Sequence, residues 1–387
     1  MPPQSIILPT ATGTLETYQL REPAHFAVHA NPRSRSVFAA AHIVADPLAE
    51  NCLGAPAAID WDATLHYRRY LWSLGLGVAE AMDTAQRGMG LDWGATKELI
   101  QRIATDAKSS GSPIVCGAGT DQLPANQRHS LKTIIDAYLE QCAWIEQYGA
   151  RIVIMASRAL AASAQSPEDY YHVYETVLSQ TQDRVILHWL GPMFDPALTG
   201  YWGSQDLDSA TTNFLTLLRK LQNKVEGIKV SLLDKDREIA LRRDLPSTVK
   251  LFTGDDFNYP ELILGDDHGF SHALLGIFDA IAPAASAALG ALDKGDKNTF
   301  LDLLNPTVPL SRHIFQAPTY YYKTGLVFLA YLNGHQSHFR MIGGFESARS
   351  VPHLAQLFKL ADQAGLVRDG AGERMRRFLS LAGIAGN

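Results

Sequence analysis

The amino-acid sequence predicts an α/β protein, a (β/α)8 TIM barrel with an N-terminal hairpin cap and a C-terminal helical bundle. Three observations support this fold. From Ser36 to about Ala273, short apolar runs alternate with longer amphipathic segments, as parallel strands joined by helices do. The runs number eight, the count that closes a barrel with its chemistry at the C-terminal ends of the strands. Beyond them the pattern is wholly helical.

Residues 1–35 read as the cap: Ile6–Leu8 and Leu15–Leu20 flank a turn at Gly13, a hairpin placed to plug the bottom of the barrel. The barrel spans 36–276. Its expected strands are Val37–Val44, Gly75–Met82, Pro113–Ala118, Arg151–Ala156, Arg184–Trp189, Gly227–Leu232, Val249–Thr253 and a last short one near Gly269–His272. Between them lie helical patterns at Asp62–Trp72, Ala95–Ser109, Asn126–Tyr148, Pro167–Gln180, Asp208–Lys224, Lys235–Arg243 and Tyr259–Leu264. Residues 277–387 form a helical extension packed on the barrel, with helices at Ile277–Asp293, Asp296–His313, Thr319–Asn333, Val351–Ala364 and Gly370–Ala385. No internal repeat or long polar linker divides the chain.

Composition narrows the function classes. The 387 residues are 46% hydrophobic and 19% charged, with a net charge of -6, and no basic run offers nucleic acid or an anionic membrane a partner surface. Cys52, Cys116 and Cys142 are far apart and form no CxxC pair, so neither a disulfide framework nor a zinc ribbon is expected, and a reducing cytoplasm fits. Met1–Thr10 lacks a basic region followed by a long apolar stretch, and no segment is long and apolar enough for a bilayer. The expectation is a soluble cytoplasmic protein acting on a small molecule, with no nucleic acid and no membrane as partner.

The most informative stretch is Val225–Ser231. Alternation puts Gly227, Lys229 and Ser231 on one strand face and Ile228, Val230 and Leu232 on the other. An inward lysine between two small residues is a candidate Schiff-base nucleophile, because burial favours the neutral amine that attacks a carbonyl. The plain alternative is a strand-end lysine snorkelling to solvent.

Other strand ends supply Asp46, Asp83 with Thr84, Asp121, Ser157 with Arg158, His188 with Trp189, and Asp255 with Asp256. Asp46 and Asp121 read as turn formers, and Asp62 and Asp92 as helix caps. His188 is either a core histidine or a catalyst. The Gly254–Asp256 turn either caps the next helix or offers a carboxylate that binds a substrate hydroxyl or orients the lysine. His25 with His29 and His335 with His338 have helical ligand spacing but lie away from the strand ends, so no metal is assigned. Gly75 and Gly77 lack the third glycine of a dinucleotide-binding loop.

The order of these features resembles the dihydrodipicolinate synthase and N-acetylneuraminate lyase superfamily of class I aldolase-type barrels, best from about Arg151 to Val367. The family's GIK motif on strand six is matched by Gly227, Ile228 and Lys229. Its GDD turn after strand seven is matched by Gly254, Asp255 and Asp256, followed by Gly265, His268 and Gly269, and Gly117 and Gly119 form a family-like GxG after strand three. The resemblance implies that Lys229 forms the Schiff base, that no cofactor is needed, and that the protein is a homo-oligomer, a dimer or tetramer. Two departures stand out. Where the family carries a GTTGE-like loop that holds a keto-acid carboxylate, this chain has Asp83, Thr84, Ala85, Gln86 and Arg87, which keeps one hydroxyl. The family's strand-four tyrosine, a proton shuttle, is replaced by the region Met155–Arg158.

The expected function is a lyase or aldolase acting on a small keto acid, sugar acid or keto sugar. Lys229 would condense with the carbonyl and His188 would move protons, with Ser157 in the place of the tyrosine. Asp83, Thr84, Gln86 and Asp255 would hold hydroxyl or carboxylate groups. Two alternatives are a metal-dependent sugar isomerase or epimerase using Asp46, Glu80, His188 and Asp255 as ligands, and a barrel that binds a metabolite without turnover.

Overall fold

A computed structural model describes residues 5–124 and 127–384. The chain forms two compact units. Arg35–Ala41 and Gly77–Gly276 make the first. Within it, strands β3 (Val37–Ala40), β4 (Gly77–Glu80), β5 (Ile114–Ala118), β6 (Arg151–Ile154), β7 (Val185–Leu190), β8 (Val225–Ser231), β9 (Lys250–Thr253) and β10 (His272–Leu275) pair in chain order and close with β10 against β3. Every pairing in this barrel is parallel. The preceding β1 (Ser5–Pro9) and β2 (Leu15–Gln19) form a separate antiparallel hairpin.

Helices follow the strands where the sequence periodicity places them, at α1 (Trp61–Ser73), α2 (Trp93–Ser110), α3 (Leu131–Gln147), α5 (Pro167–Gln180), α6 (Leu207–Leu221), α7 (Lys235–Asp244) and α8 (Tyr259–Leu264), and one short helix that the periodicity does not mark, α4 (Arg158–Ser163), stands between β6 and α5. Short acceptor side chains start most of them. Asp92, Ser130, Asp206 and Asp234 each accept a first-turn backbone N–H. Asp60, not Asp62, caps α1. Asn126, the expected start of α3, lies outside the described residues; its N-cap is Ser130. The last strand begins at His272 rather than ending there, because Asp266–Gly269 closes a turn in which Gly265 (φ 84°) and Gly269 (φ 140°) take positive φ.

Phe38, Ala40, Ala79, Val115, Val153, Ile186, Phe252 and Leu274 fill the barrel interior. At the N-terminal strand ends this apolar layer gives way to ions. A register shift in the β7–β8 pairing accompanies Glu226, whose carboxylate accepts from Arg151 Nη1 (2.8 Å) and Lys250 Nζ (3.2 Å).

Met1–Ser34, His42–Leu76 and Ile277–Asn387 supply the second unit. It holds the hairpin, α1 and the helices α9 (Ile277–Ala280), α10 (Ala282–Asp293), α11 (Lys297–Leu304), α12 (Val308–Ile314), α13 (Tyr322–Leu332), α14 (Val351–Gln363) and α15 (Ala371–Leu381). Ala385, the expected end of the last helix, lies outside the described residues. The hairpin packs on α14: Tyr18 Oη donates to Asp362 Oδ2 (2.7 Å) and Lys359 pairs with Glu16 (2.6 Å). His29 bonds Asp293 (2.8 Å), and His335 lies against the rings of Tyr67 and Tyr70 at 5.0 and 4.4 Å. Among the described residues no helix is long and apolar enough to cross a membrane, and no group of three or more His, Cys, Asp or Glu is placed to hold a metal ion.

Candidate active site

Lys229 stands on β8 beside His188 of β7 and Phe252 of β9. Phe252 belongs to the barrel interior, and parallel neighbours in register share a face, so Lys229 points inward as the alternation predicts. It is 7% exposed. A Cβ on Gly254 would lie 2.9 Å from Lys229 Cε and 2.1 Å from Ser231 Oγ, so the glycine makes room for the lysine. Burial pushes the ammonium below its ordinary pKa of 10.5, against the pull of Asp83 and Asp256.

His188 is more deeply buried, and its Nε2 lies 3.1 Å from Ser231 Oγ. Its Nδ1 has no hydrogen-bond partner among the described residues. Burial, and then the charge of Lys229, hold the imidazole well below its usual pKa, so it is a neutral ring with a free polar atom.

These groups adjoin a cavity of about 410 Å³ whose wall includes Asp83 and His188. Lys229 is not part of that wall. Arg87, Thr120, Asp121, Arg158 and Asp195 are. Arg87 is fully engaged. It donates to the carbonyls of Ala81 (3.2 Å) and Gly117 (2.6 Å), to Gln141 Oε1 (2.7 Å), and pairs with Asp121. Burial alone would raise the Asp121 carboxyl, but this guanidinium holds it below its ordinary value. Asp121 is thus an ion-pair partner rather than a simple turn former.

Other expected site residues lie off the cavity wall. Ser157 caps α4, its Oγ accepting from Leu160 N (3.0 Å) and lying 2.6 Å from Thr120 Oγ1. Its own N–H donates to Tyr201 Oη, 3.0 Å away, and Tyr201 in turn lies 2.9 Å from Tyr174 Oη. Thr84 and Gln86 are buried, and Gln86 Nε2 donates to Met89 O (3.2 Å). Asp255 braces the turn that leads into α8, whose N-cap is Asn258: Oδ1 accepts from Phe257 N (2.8 Å) and Asn258 N (2.9 Å), and Oδ2 from Asn258 Nδ2 (2.8 Å). The carboxylate of this turn whose charge reaches Lys229 is Asp256. Behind the turn, Glu238 accepts from Thr253 Oγ1 (3.0 Å) and Ser271 Oγ (2.8 Å), and burial pushes it up to about 8.

A family model described as "Protein of unknown function (DUF993)" matches residues 6–384. The chain belongs to that family. No curated protein matches it in sequence. Its barrel is nevertheless that of solved dihydrodipicolinate synthases. The Aquifex aeolicus synthase is 13% identical, with a TM-score of 0.63 over 87% of this chain and 99% of that one. YagE, a prophage protein of the dihydrodipicolinic acid synthase family from E. coli K12 solved with pyruvate, is 17% identical, with a TM-score of 0.63 over 86% and 99%. The chloride-inhibited synthase from Acinetobacter baumannii, also with pyruvate, is 17% identical, with a TM-score of 0.63 over 87% and 100%. The DUF993 chain therefore has the fold that its GIK and GDD segments suggest, at an identity that shows the fold alone.

Proposed function

We propose that the protein is a Schiff-base-forming lyase or aldolase of the dihydrodipicolinate synthase type, acting on a small keto acid, sugar acid or keto sugar. One observation carries the reading: a buried, inward-facing lysine with a lowered pKa stands in register with a neutral histidine whose Nδ1 is unpartnered at a cavity. Neutral Lys229 Nζ attacks the substrate carbonyl, and the carbinolamine loses water to give a protonated imine. That imine accepts the electron pair released when the adjacent carbon–carbon bond breaks, or when a proton leaves the adjacent carbon. His188 takes the proton and returns it to the enamine, and hydrolysis of the imine frees the lysine. The carboxylates of Asp83 and Asp256 stabilise the cationic imine electrostatically. The fold shared with two pyruvate-bound structures is consistent with this chemistry.

The test is incubation with a panel of keto acids and keto sugars, reduction with borohydride, and peptide mapping of the mass gain. An adduct on Lys229 that is lost in Lys229→Met establishes imine chemistry. Absence of any adduct, with a divalent metal in the purified protein, sinks it in favour of the isomerase reading.

A further inference from the structure

We propose that Arg158 is the carboxylate-recognising residue of this cavity, and that the substrate is accordingly a monocarboxylic keto acid with an apolar body. This inference rests on the Schiff-base reading of the same cavity and narrows its substrate class.

The guanidinium is held by one edge and open on the other. Arg158 Nε donates to Asp195 Oδ2 (2.5 Å), while Nη1 and Nη2 make no hydrogen bond among the described residues. Two-thirds of the side chain is covered, so its rotamer freedom is already reduced before a ligand arrives. A fixed guanidinium with a free pair of parallel N–H groups is the geometry that binds a carboxylate bidentately. The strand-two loop is shaped around it. A Cβ on Gly88 would fall 2.3 Å from Arg158 Nη1, so any larger residue there would displace the head group.

Arg87, the other cation of the cavity wall, has its donors taken by carbonyls, Gln141 and Asp121. It replaces the family-like carboxylate loop but is not free to do that loop's work. Of the wall carboxylates, Asp121 is paired with Arg87 and Asp195 with Arg158, leaving Asp83, which acts on Lys229. One open guanidinium edge accommodates one carboxylate, and Asp83 disfavours a second anion. The wall also carries Met155, Ala156, Leu190 and Leu198, and its neutral polar side chains Thr120 and Gln122 are already engaged, by Ser157 and by Ala137 O and Gln141. A chain of hydroxyls laid against these side chains would lose its hydrogen bonds to water without replacement, which favours an apolar keto acid over a sugar acid or keto sugar.

Calorimetric titration of the full chain with 2-oxobutanoate and 4-oxopentanoate, with their neutral counterparts butanone and 2-pentanone, and with 2-oxogluconate tests the assignment. Borohydride trapping is run in parallel. The keto acids are expected to bind more tightly than the ketones and than 2-oxogluconate, and Arg158→Gln to weaken keto-acid binding about 10–100-fold while leaving the ketones unchanged. Gly88→Ala displaces the guanidinium without removing its charge and is expected to act in the same direction, and thermal melts confirm that both variants are folded. Keto-acid binding unaffected by either substitution, no keto-acid binding by the wild type, or tighter binding of 2-oxogluconate would each overturn the proposal. Arg158-dependent binding with no adduct on Lys229 would instead uphold the carboxylate site and reject the Schiff-base reading.

Discussion

One strand, β8, carries a charged side chain into each end of the barrel, and the two ends treat their charge in opposite ways. Glu226 at the N-terminal end is met by Arg151 and Lys250. Burial would raise its carboxyl, but those two cations hold it below its ordinary 4.5. Three residues on, Lys229 loses more to burial than Asp83 and Asp256 return, and its neighbour His188 keeps an unpartnered nitrogen. The first end is arranged to hold charge and contributes to folding. The second is arranged to shed charge, at a cost to folding, as the proposed role of Lys229 as a neutral nucleophile requires. In barrels of this kind the separation of stability from chemistry along each strand is general; here two residues of one strand, Glu226 and Lys229, three positions apart, are placed to follow it.

Exchanging the two lysines between these roles should give the largest effect. Lys229→Met is expected to abolish borohydride-trappable adducts, while Lys250→Met leaves them. The stability effect runs the other way. The folded-state pKa of Lys229 lies below 10.5, so the wild type loses stability as pH falls from above 10.5 through the lowered value. The methionine variant has no such loss and is expected to be about 1 kcal/mol or more stabler at neutral pH. Thermal melts at pH 7 and pH 10 check this: a variant less stable than wild type at pH 7 would remove the distinction between the two ends.

His188→Asn is the next largest. Loss of a positioned proton carrier is expected to lower turnover by about 10²–10⁴-fold while Lys229 can still be trapped. Because the imidazole is held well below its usual value, the wild-type pH–rate profile is expected to show no inflection near 6.5. An inflection there, lost in His188→Asn, would mean that the ring titrates in solution-like fashion.

The same contrast explains what the sequence made legible. Apolar runs and strand parity are local, so the barrel could be read from its eight apolar runs and the inward direction of Lys229 from its neighbours Gly227 and Ser231. The start of β10 was displaced because His268 to Ser271 look strand-compatible until the positive φ of Gly265 and Gly269 folds them into a turn. Asp255 and Asp256 are adjacent and chemically identical; the backbone N–H groups of Phe257 and Asn258 decide which is taken up by the turn. Arg158 stands among the strand-end residues, but its meaning depends on Asp195, 37 positions later. Glu226 owes its inward direction to an irregularity that simple alternation hides.

At the ionic end, Glu226→Gln is expected to lower stability by about 1–2 kcal/mol, discounted because Arg151 and Lys250 are each about two-fifths exposed. Since the folded-state pKa is depressed, this contribution is present above pH 4.5 and lost as pH falls through the lower folded value. Denaturant titrations at pH 7 and pH 3 should show the difference between variant and wild type shrinking in acid, with adduct formation at pH 7 intact. A loss of trapping on Lys229 would show that the two ends are coupled.

The smallest effect sharpens the comparison most finely, because it concerns a histidine at the ionic end. His272 accepts from Ser36 N at Nδ1 (3.0 Å), and burial, then Lys250 and Arg35, lower it to about 4. Like His188 it is neutral, yet its nitrogen is engaged in the backbone. Its folded-state pKa lies below the unfolded value of about 6.5, so its contribution to stability is present above that value and is lost as pH falls through about 4. Replacement by Gln is expected to flatten the stability curve between about pH 6.5 and 4 by about 1 kcal/mol, after allowance for partial solvent screening, without changing the pH–rate profile. His188→Asn is expected to do the reverse, altering rate more than stability. If both substitutions moved the same observable, burial alone would account for the two rings; if they separate, the free nitrogen at the cavity is what distinguishes a proton carrier from a structural histidine.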